Sequence, residues 1–176
     1  MSKVAVLYRS KYGTARQYAE WIAEETGGDL FRLPHVSVTQ LETYDTIITG
    51  GGLYASGILG FSFFRKHFSA LRGKKLIVFS VGASHNNETN RAAIRQHNLT
   101  PEMQEQVQYF HLRGGLDYPG MGWLDRTVMG LLVASLKKKP EREMDDEIRG
   151  MIACYGKKVS FLDRNSIAPI LAAARS

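Results

Sequence analysis

Only one cysteine, Cys154, occurs in the 176 residues. An internal disulfide is therefore excluded, as is a metal site built from several thiolates, and no metal centre is expected. No uninterrupted apolar run approaches the roughly 18 residues that a membrane-spanning helix requires. Residues 1–8 lack the long apolar stretch of a secretory signal, so a cytoplasmic location is the expectation. Internal repeats and low-complexity tracts are missing. Acidic residues are the minority: 23 Lys and Arg stand against 17 Asp and Glu, for a net charge of +6. That imbalance bears on partners rather than on fold, and suits anionic lipid or a carboxylated substrate. No recognition motif for nucleic acid accompanies it, and no nucleic-acid partner is expected.

What is present is a chain that is 44% hydrophobic and long enough for a sizeable core, read as one domain over residues 1–176. Residues 3–16, KVAVLYRSKYGTAR, organise it. Val4, Ala5, Val6 and Leu7 suit a strand buried on both faces of a parallel sheet. A loop follows, and Ala15, Tyr18, Ala19, Ile22 and Ala23 then recur at helical spacing up to Gly27. Strand, hydroxyl- and glycine-containing loop, then helix: in an open α/β sheet this order brings backbone N–H groups to the carboxyl end of the strand, where phosphate binds.

Strands are predicted over residues 29–33, 45–50, 75–81 and 108–113, helices over about 61–71 and 88–97, and another turn from Thr100 and Pro101. The alternation argues for a parallel sheet with right-handed crossovers. Residues 114–158 break the rhythm as an insertion. They hold a glycine-rich loop, an apolar helix over about 123–136 and a charged helix over about 143–155. Residues 159–162 read as a late strand, and Asn165 or Ser166 as the cap of a last helix.

Three loops fall at strand carboxyl ends and are expected to converge on one crevice. The first, with Ser10, Lys11, Tyr12, Gly13, Thr14 and Ala15, supplies hydroxyls, amides and charge for a phosphate. A plain turn into a helix is the bland reading. The second holds Gly50, Gly51, Gly52, Leu53, Tyr54 and Ala55. Its glycines allow close approach of a ring or tight packing on a neighbour, and Tyr54 is either a stacking aromatic or a surface one. The third, Ser84, His85, Asn86 and Asn87, offers donors and acceptors to the edge of a heteroaromatic, or is simply solvated. Together they describe a site for flavin mononucleotide (FMN).

The loop after the first strand resembles the phosphate loop of the flavodoxin-like family, Thr/Ser-x-Thr-Gly-x-Thr. Ser10 and Gly13 match it. Tyr12 and Ala15 replace two hydroxyl positions, and Thr14 supplies a hydroxyl beside them. The resemblance implies an open five-stranded parallel sheet of order 2-1-3-4-5, helices on both faces, and an insertion splitting the last strand into residues 108–113 and 159–162. Residues 7–16, 44–57 and 115–138 further resemble the bacterial menaquinone-dependent protoporphyrinogen IX dehydrogenases. In the last segment, Tyr118, Pro119, Trp123, Asp125 and Arg126 stand at matching places. What this implies is oxidation of a porphyrinogen on FMN, with electrons passed to a quinone or a redox protein. The chemistry is the flavin's, and no protein residue is assigned as catalytic.

Two other functions stay open: a flavodoxin-type electron carrier and a non-enzymatic flavin-responsive binding module. For the helix over 123–136, core packing through Leu124, Val128, Leu131, Leu132 and Ser135 is favoured. Met129, Val133, Leu136 and the lysines at 137–139 also suit a hydrophobic partner or peripheral contact with the inner face of the cell membrane through residues 123–139. Arg113, Arg126, Lys137 and Lys138 are candidates for carboxylates of the substrate, and Cys154 is expected to be buried.

Overall fold

The computed structural model describes residues 2–176. From the N-terminus, β1 (Val4–Arg9) leads into α1 (Thr14–Thr26), β2 (Asp29–Arg32), β3 (Thr46–Tyr54) and the short β4 (Gly57–Ile58). α2 (Phe61–His67), β5 (Lys75–Gly82), α3 (Glu88–Asn98), α4 (Pro101–Gln106) and β6 (Val107–Arg113) follow. The rest holds β7 (Gly115–Asp117), α5 (Trp123–Lys137), α6 (Asp146–Cys154), β8 (Lys158–Ser160) and α7 (Ala168–Arg175). Five parallel strands take the order β2-β1-β3-β5-β6, and β4 adds to β3 antiparallel. Counting the main strands alone, this is the expected order 2-1-3-4-5, a flavodoxin-like α/β fold.

The two-residue period of β1 makes the two cores. Val4, Val6 and Tyr8 face α1 and α7, where they meet Tyr18, Ile22 and Ile170. Ala5 and Leu7 face the other way, toward Phe61, Phe64 and Leu71. A strand with apolar residues on both sides, as from Val4 to Leu7, is what a sheet covered on both faces requires. α1 ends at Gly27, whose left-handed conformation (φ 63°) lets its amide and that of Gly28 reach the last carbonyls.

Several boundaries differ from expectation. β3 does not stop at Gly50 but runs to Tyr54, so Gly51, Gly52 and Leu53 are strand residues, not loop. Gly50 pairs beside Phe79, whose ring would lie 2.2 Å from a Cβ there. A Cβ on Gly51 would sit 2.1 Å from the Leu59 carbonyl oxygen. Packing therefore accounts for both glycines. The late strand is β8, and it is no second half of the fifth strand. It pairs antiparallel with β7 in a separate ribbon, Leu116 opposite Val159. The reason is reach: β5 ends at Gly82, and the last sheet contact is Gly114 N–H to the Gly82 carbonyl (2.8 Å). Beyond it, β8 has only β7 to pair with. Asp163, not Asn165 or Ser166, caps the C-terminal turn, its carboxylate accepting from the Asn165 amide at 2.9 Å.

The largest difference is α5. Leu124, Val128, Leu131 and Leu132, the expected core face, point outward, and Asp125 and Val133 are the buried positions. Among the described residues, no helix is long and apolar enough to cross a membrane.

Candidate functional site

The loops after β1, β3 and β5 lie at one end of three adjacent parallel strands. In the first, Ser10 Oγ accepts from the Gly13 amide (3.0 Å), closing the turn. Gly13 holds φ 91° with open space where a Cβ would project. α1 starts at Thr14, and its first intrahelical bond runs from the Gln17 amide to the Gly13 carbonyl. The amides of Thr14, Ala15 and Arg16 thus have no acceptor within the helix, which makes this end electropositive. Thr14 rests against the chain at Gly114 and Gly115. The Ala15 side chain is sealed in the core, so only its backbone faces the loop. Lys11 and Tyr12 are exposed but not free, for both reach Asp125.

The second loop is a two-residue hairpin between β3 and β4, with Tyr54 opposite Gly57. Its central residues, Ala55 (φ 47°) and Ser56 (φ 68°), both sit in the left-handed region. This is the conformation that two-residue hairpins favour, normally with Asn-Gly. With a Cβ at both positions it costs about 1 kcal/mol or more each. Asn98, buried at the end of α3, holds the strained turn. Its Oδ1 accepts from the Ile58 amide (2.8 Å), and its Nδ2 donates to the Ser56 and Ile94 carbonyls (both 2.9 Å).

The third loop is held from beneath and from its own helix. Asn87 caps α3, accepting from the Asn90 amide at 2.8 Å. Asn86 Oδ1 accepts from the Arg91 guanidinium at 2.9 Å. Asn90 Nδ2 donates to the His85 carbonyl (2.9 Å) and to the Glu147 carboxylate on α6 (3.0 Å). The side-chain oxygens of Asn86 and Asn87 are thereby engaged within the segment, and His85 is solvated. Leu53, near the end of β3, packs over Gly82 at the end of β5.

Asp125, in the first turn of α5, joins the first two loops. Tyr12 Oη donates to its Oδ2, Tyr54 Oη donates to Oδ1 (2.8 Å), and Lys11 Nζ lies 2.6 Å from Oδ2. These hydrogen bonds, Lys11 first, then Tyr12 and Tyr54, hold the carboxyl down at about 2. The same bond to Asp125 raises the Lys11 ammonium above its ordinary value. Lys11 also stands 4.4 Å over the Tyr54 ring. One face of Tyr54 is thus covered by a cation. Elsewhere, Arg113 stacks on Phe161 at 3.9 Å and Arg126 donates to the Pro119 carbonyl. Cys154 is half-buried. A depression of about 430 Å³ lies between α3, α4 and β6, and one of about 350 Å³ beside Pro34 and α2 is lined by Arg9, Leu59 and Gly60 next to the first two loops.

Reading the sequence by loops missed Asn98 and His111, and gave Asp125 no role in the site. Asp125 carried a signal: it is a lone carboxylate in an otherwise apolar helical stretch. His111 shares its strand parity with Val107 and Tyr109, the side of β6 turned toward α3 and α4.

A family model described as a flavodoxin domain matches residues 5–143. No curated protein matches the chain significantly in sequence. Among solved structures, it is similar to the flavodoxin of Megasphaera elsdenii, with 17% identity and a TM-score of 0.44, over 61% of this chain and 84% of that one. A WrbA-like flavodoxin from Agrobacterium tumefaciens gives 21% and 0.46, over 61% and 76%. A variant flavodoxin from Pseudomonas aeruginosa gives 18% and 0.43, over 76% and 95%.

Proposed function

The chain belongs to the flavodoxin domain family, and we propose that it is an FMN-dependent oxidoreductase that oxidises protoporphyrinogen IX and passes the electrons to a quinone, a reading supported by the resemblance of residues 7–16, 44–57 and 115–138 to the protoporphyrinogen dehydrogenases. FMN is the cofactor that membership brings, and the residues fit it. Gly13 holds a left-handed φ with open space where a Cβ would project, Ser10 Oγ closes the turn on its amide, and the Thr14, Ala15 and Arg16 amides have no acceptor within α1. When bound, the flavin supplies the electron transfer. The protein's part is to bind, orient and shield. Residues 10–15 would take the phosphate, and Ser84, His85, Asn86 and Asn87 the ring edge. Stacking by Tyr54 is left to the face that Lys11 does not cover.

Asp125 carries the finer reading. The segment that resembles the protoporphyrinogen dehydrogenases delivers this carboxylate to Lys11, Tyr12 and Tyr54, so the insertion and the cofactor loops form one site. Beside it, α5 presents Trp123 (76% exposed), Val128 (57%) and Leu131 (68%), followed by Lys137, Lys138 and Lys139. An apolar helix face ending in lysines suits the boundary of an anionic membrane, where a quinone is available. A cytoplasmic protein docked peripherally on the inner face of the membrane through residues 123–139 accords with this.

The test is a visible spectrum with added FMN, then protoporphyrinogen and a menaquinone analogue. Enzyme-dependent porphyrin fluorescence is the expected result. FMN binding without porphyrin points instead to a carrier of flavodoxin type. The net charge of +6 argues against that reading, because acidic carriers dock on basic partners. FMN binding with neither turnover nor electron transfer points to a flavin-responsive binding module. Anionic vesicles at low salt are expected to sediment the protein; failure to do so removes the membrane contact.

A further inference from the structure

Under the Ser84 loop lies a buried chain of polar groups that the proposed chemistry does not use. Its centre is His111 on β6, 1% exposed, and next to it is Ser80 on β5, fully buried. The two residues pair across the sheet. His111 Nδ1 lies 2.8 Å from Ser80 Oγ, and Ser80 Oγ lies 2.7 Å from Tyr109 Oη. His111 Nε2 lies 3.2 Å from the Ser84 carbonyl oxygen and 3.3 Å from Ser84 Oγ.

The direction of each bond follows from one constraint. A carbonyl oxygen only accepts, so the proton facing Ser84 sits on Nε2. Burial lowers the affinity of His111 for a second proton and keeps the ring neutral. Nδ1 therefore accepts, Ser80 donates to it, and Ser80 in turn accepts from Tyr109. Tyr109 keeps its proton, since burial pushes its phenol up to about 12. Of the charged groups nearby, Glu147 on α6 favours the imidazolium, whereas Arg91 on α3 and Arg113 on β6 oppose it. Each polar atom of the chain is satisfied in this arrangement, and it is the one the Ser84 carbonyl permits.

We propose that His111 is a positioning residue for the cofactor: as the neutral Nε2–H tautomer it anchors the Ser84 carbonyl and so sets the backbone of the loop that meets the flavin edge. The inference rests on the FMN reading above. It also explains why a buried histidine stands in a strand of the sheet. A leucine there would remove the donor to the Ser84 carbonyl and the ring nitrogen that accepts from the Ser80 hydroxyl, leaving Ser80 only Tyr109.

The experiment is long-range ¹H–¹⁵N correlation of the histidine rings, with FMN titrations of wild type, His111→Ala, His111→Gln and Ser80→Ala. The His111 ring is expected to be neutral and protonated on Nε2 at pH 7, and its Nε2 resonance to shift when FMN is added. His111→Ala is expected to weaken FMN binding about tenfold or more, the loss of one well-placed hydrogen bond. His111→Gln, which keeps a donor at the same reach, should recover most of that loss. Ser80→Ala should leave the fold intact while mixing the tautomers. An Nδ1–H tautomer in the wild type overturns the proposal. So does FMN binding that is equal in the wild type and a folded His111→Ala protein. If the wild type shows the Nε2–H ring but binds no FMN, the cofactor reading fails, and the positioning role falls with it while the tautomer assignment stands.

Discussion

The segment from α2 into the turn after it and the helix α5 both carry large apolar side chains at helical spacing. In the first, Phe61, Phe64, Phe68 and Leu71 are sealed against the sheet. In the second, Leu124, Val128, Leu131 and Leu132 look outward. Position explains the difference. α2 is the crossover between the parallel strands β3 and β5, and it must return across the sheet, where it covers one face. α5 follows β6, the edge strand, after α1 and α2 have already taken part of each face. No residue of α5 belongs to either core, and its packing partner is α6. Its rotation is then set by polar contacts. With Asp125 fixed on Lys11, Tyr12 and Tyr54, the positions four, eight and eleven residues on, Met129, Val133 and Leu136, turn inward, and the leucine face turns out. The same periodicity thus serves a core in one place and a surface in the other.

The contrast is sharpest in paired truncations. Phe64→Ala is expected to lose about 4 kcal/mol in urea unfolding, through lost burial plus a cavity. Leu131→Ala on α5 is expected to change stability by less than about 0.5 kcal/mol and to weaken vesicle binding instead. A loss of several kcal/mol in Leu131→Ala would mean that α5 packs as α2 does.

The next largest effect is expected at Asn98. Asn98→Ala strands the Ile58 amide and the Ser56 carbonyl and should cost about 2–3 kcal/mol by the same unfolding measurement. A loss under about 0.5 kcal/mol would show that the hairpin holds itself.

Asp125→Asn should alter global stability little, because its partners are exposed, yet free the start of α5. Faster amide exchange confined to the beginning of that helix is the expected result; unchanged exchange would remove Asp125 as the clamp. Acid tests the same contact in the wild type. The carboxyl is depressed on folding, so the clamp is intact above pH 4 and its contribution fades as pH falls through about 2. Release of α5 already at pH 5 in the exchange profile would contradict this.

The smallest effect expected is a gain. Ala55→Gly relieves a left-handed φ of 47° and should add about 0.5–1 kcal/mol, less than the full strain because glycine also loosens the unfolded chain. A loss of stability would place that residue's Cβ among useful contacts.

What was legible in the sequence follows local rules. The apolar run at Val4–Leu7 marks a doubly covered strand and Gly27 marks the end of α1, both within a residue or so of the observed bounds, whereas Thr100 with Pro101, read as a turn, opens α4. The phosphate-suited loop was legible because its parts are contiguous: Ser10, Gly13 and the first turn of α1 sit within a few residues. The joints of the site were not. Asp125 meets Tyr12 across 113 residues, Asn98 meets Ser56 across 42, and His111 meets Ser80 across 31. Periodicity says that a helix face is apolar but not which neighbour it meets.

By itself, then, the sequence determined the five strands of the parallel sheet, their order and the loop that suits a phosphate, since each rests on propensity and spacing along the chain. The tertiary structure alone decided which way α5 faces, where β8 pairs, and which carboxylate and which histidine meet the loops after β1, β3 and β5. Those depend on which strand lies at the edge of the sheet and on hydrogen bonds whose two ends are distant in sequence.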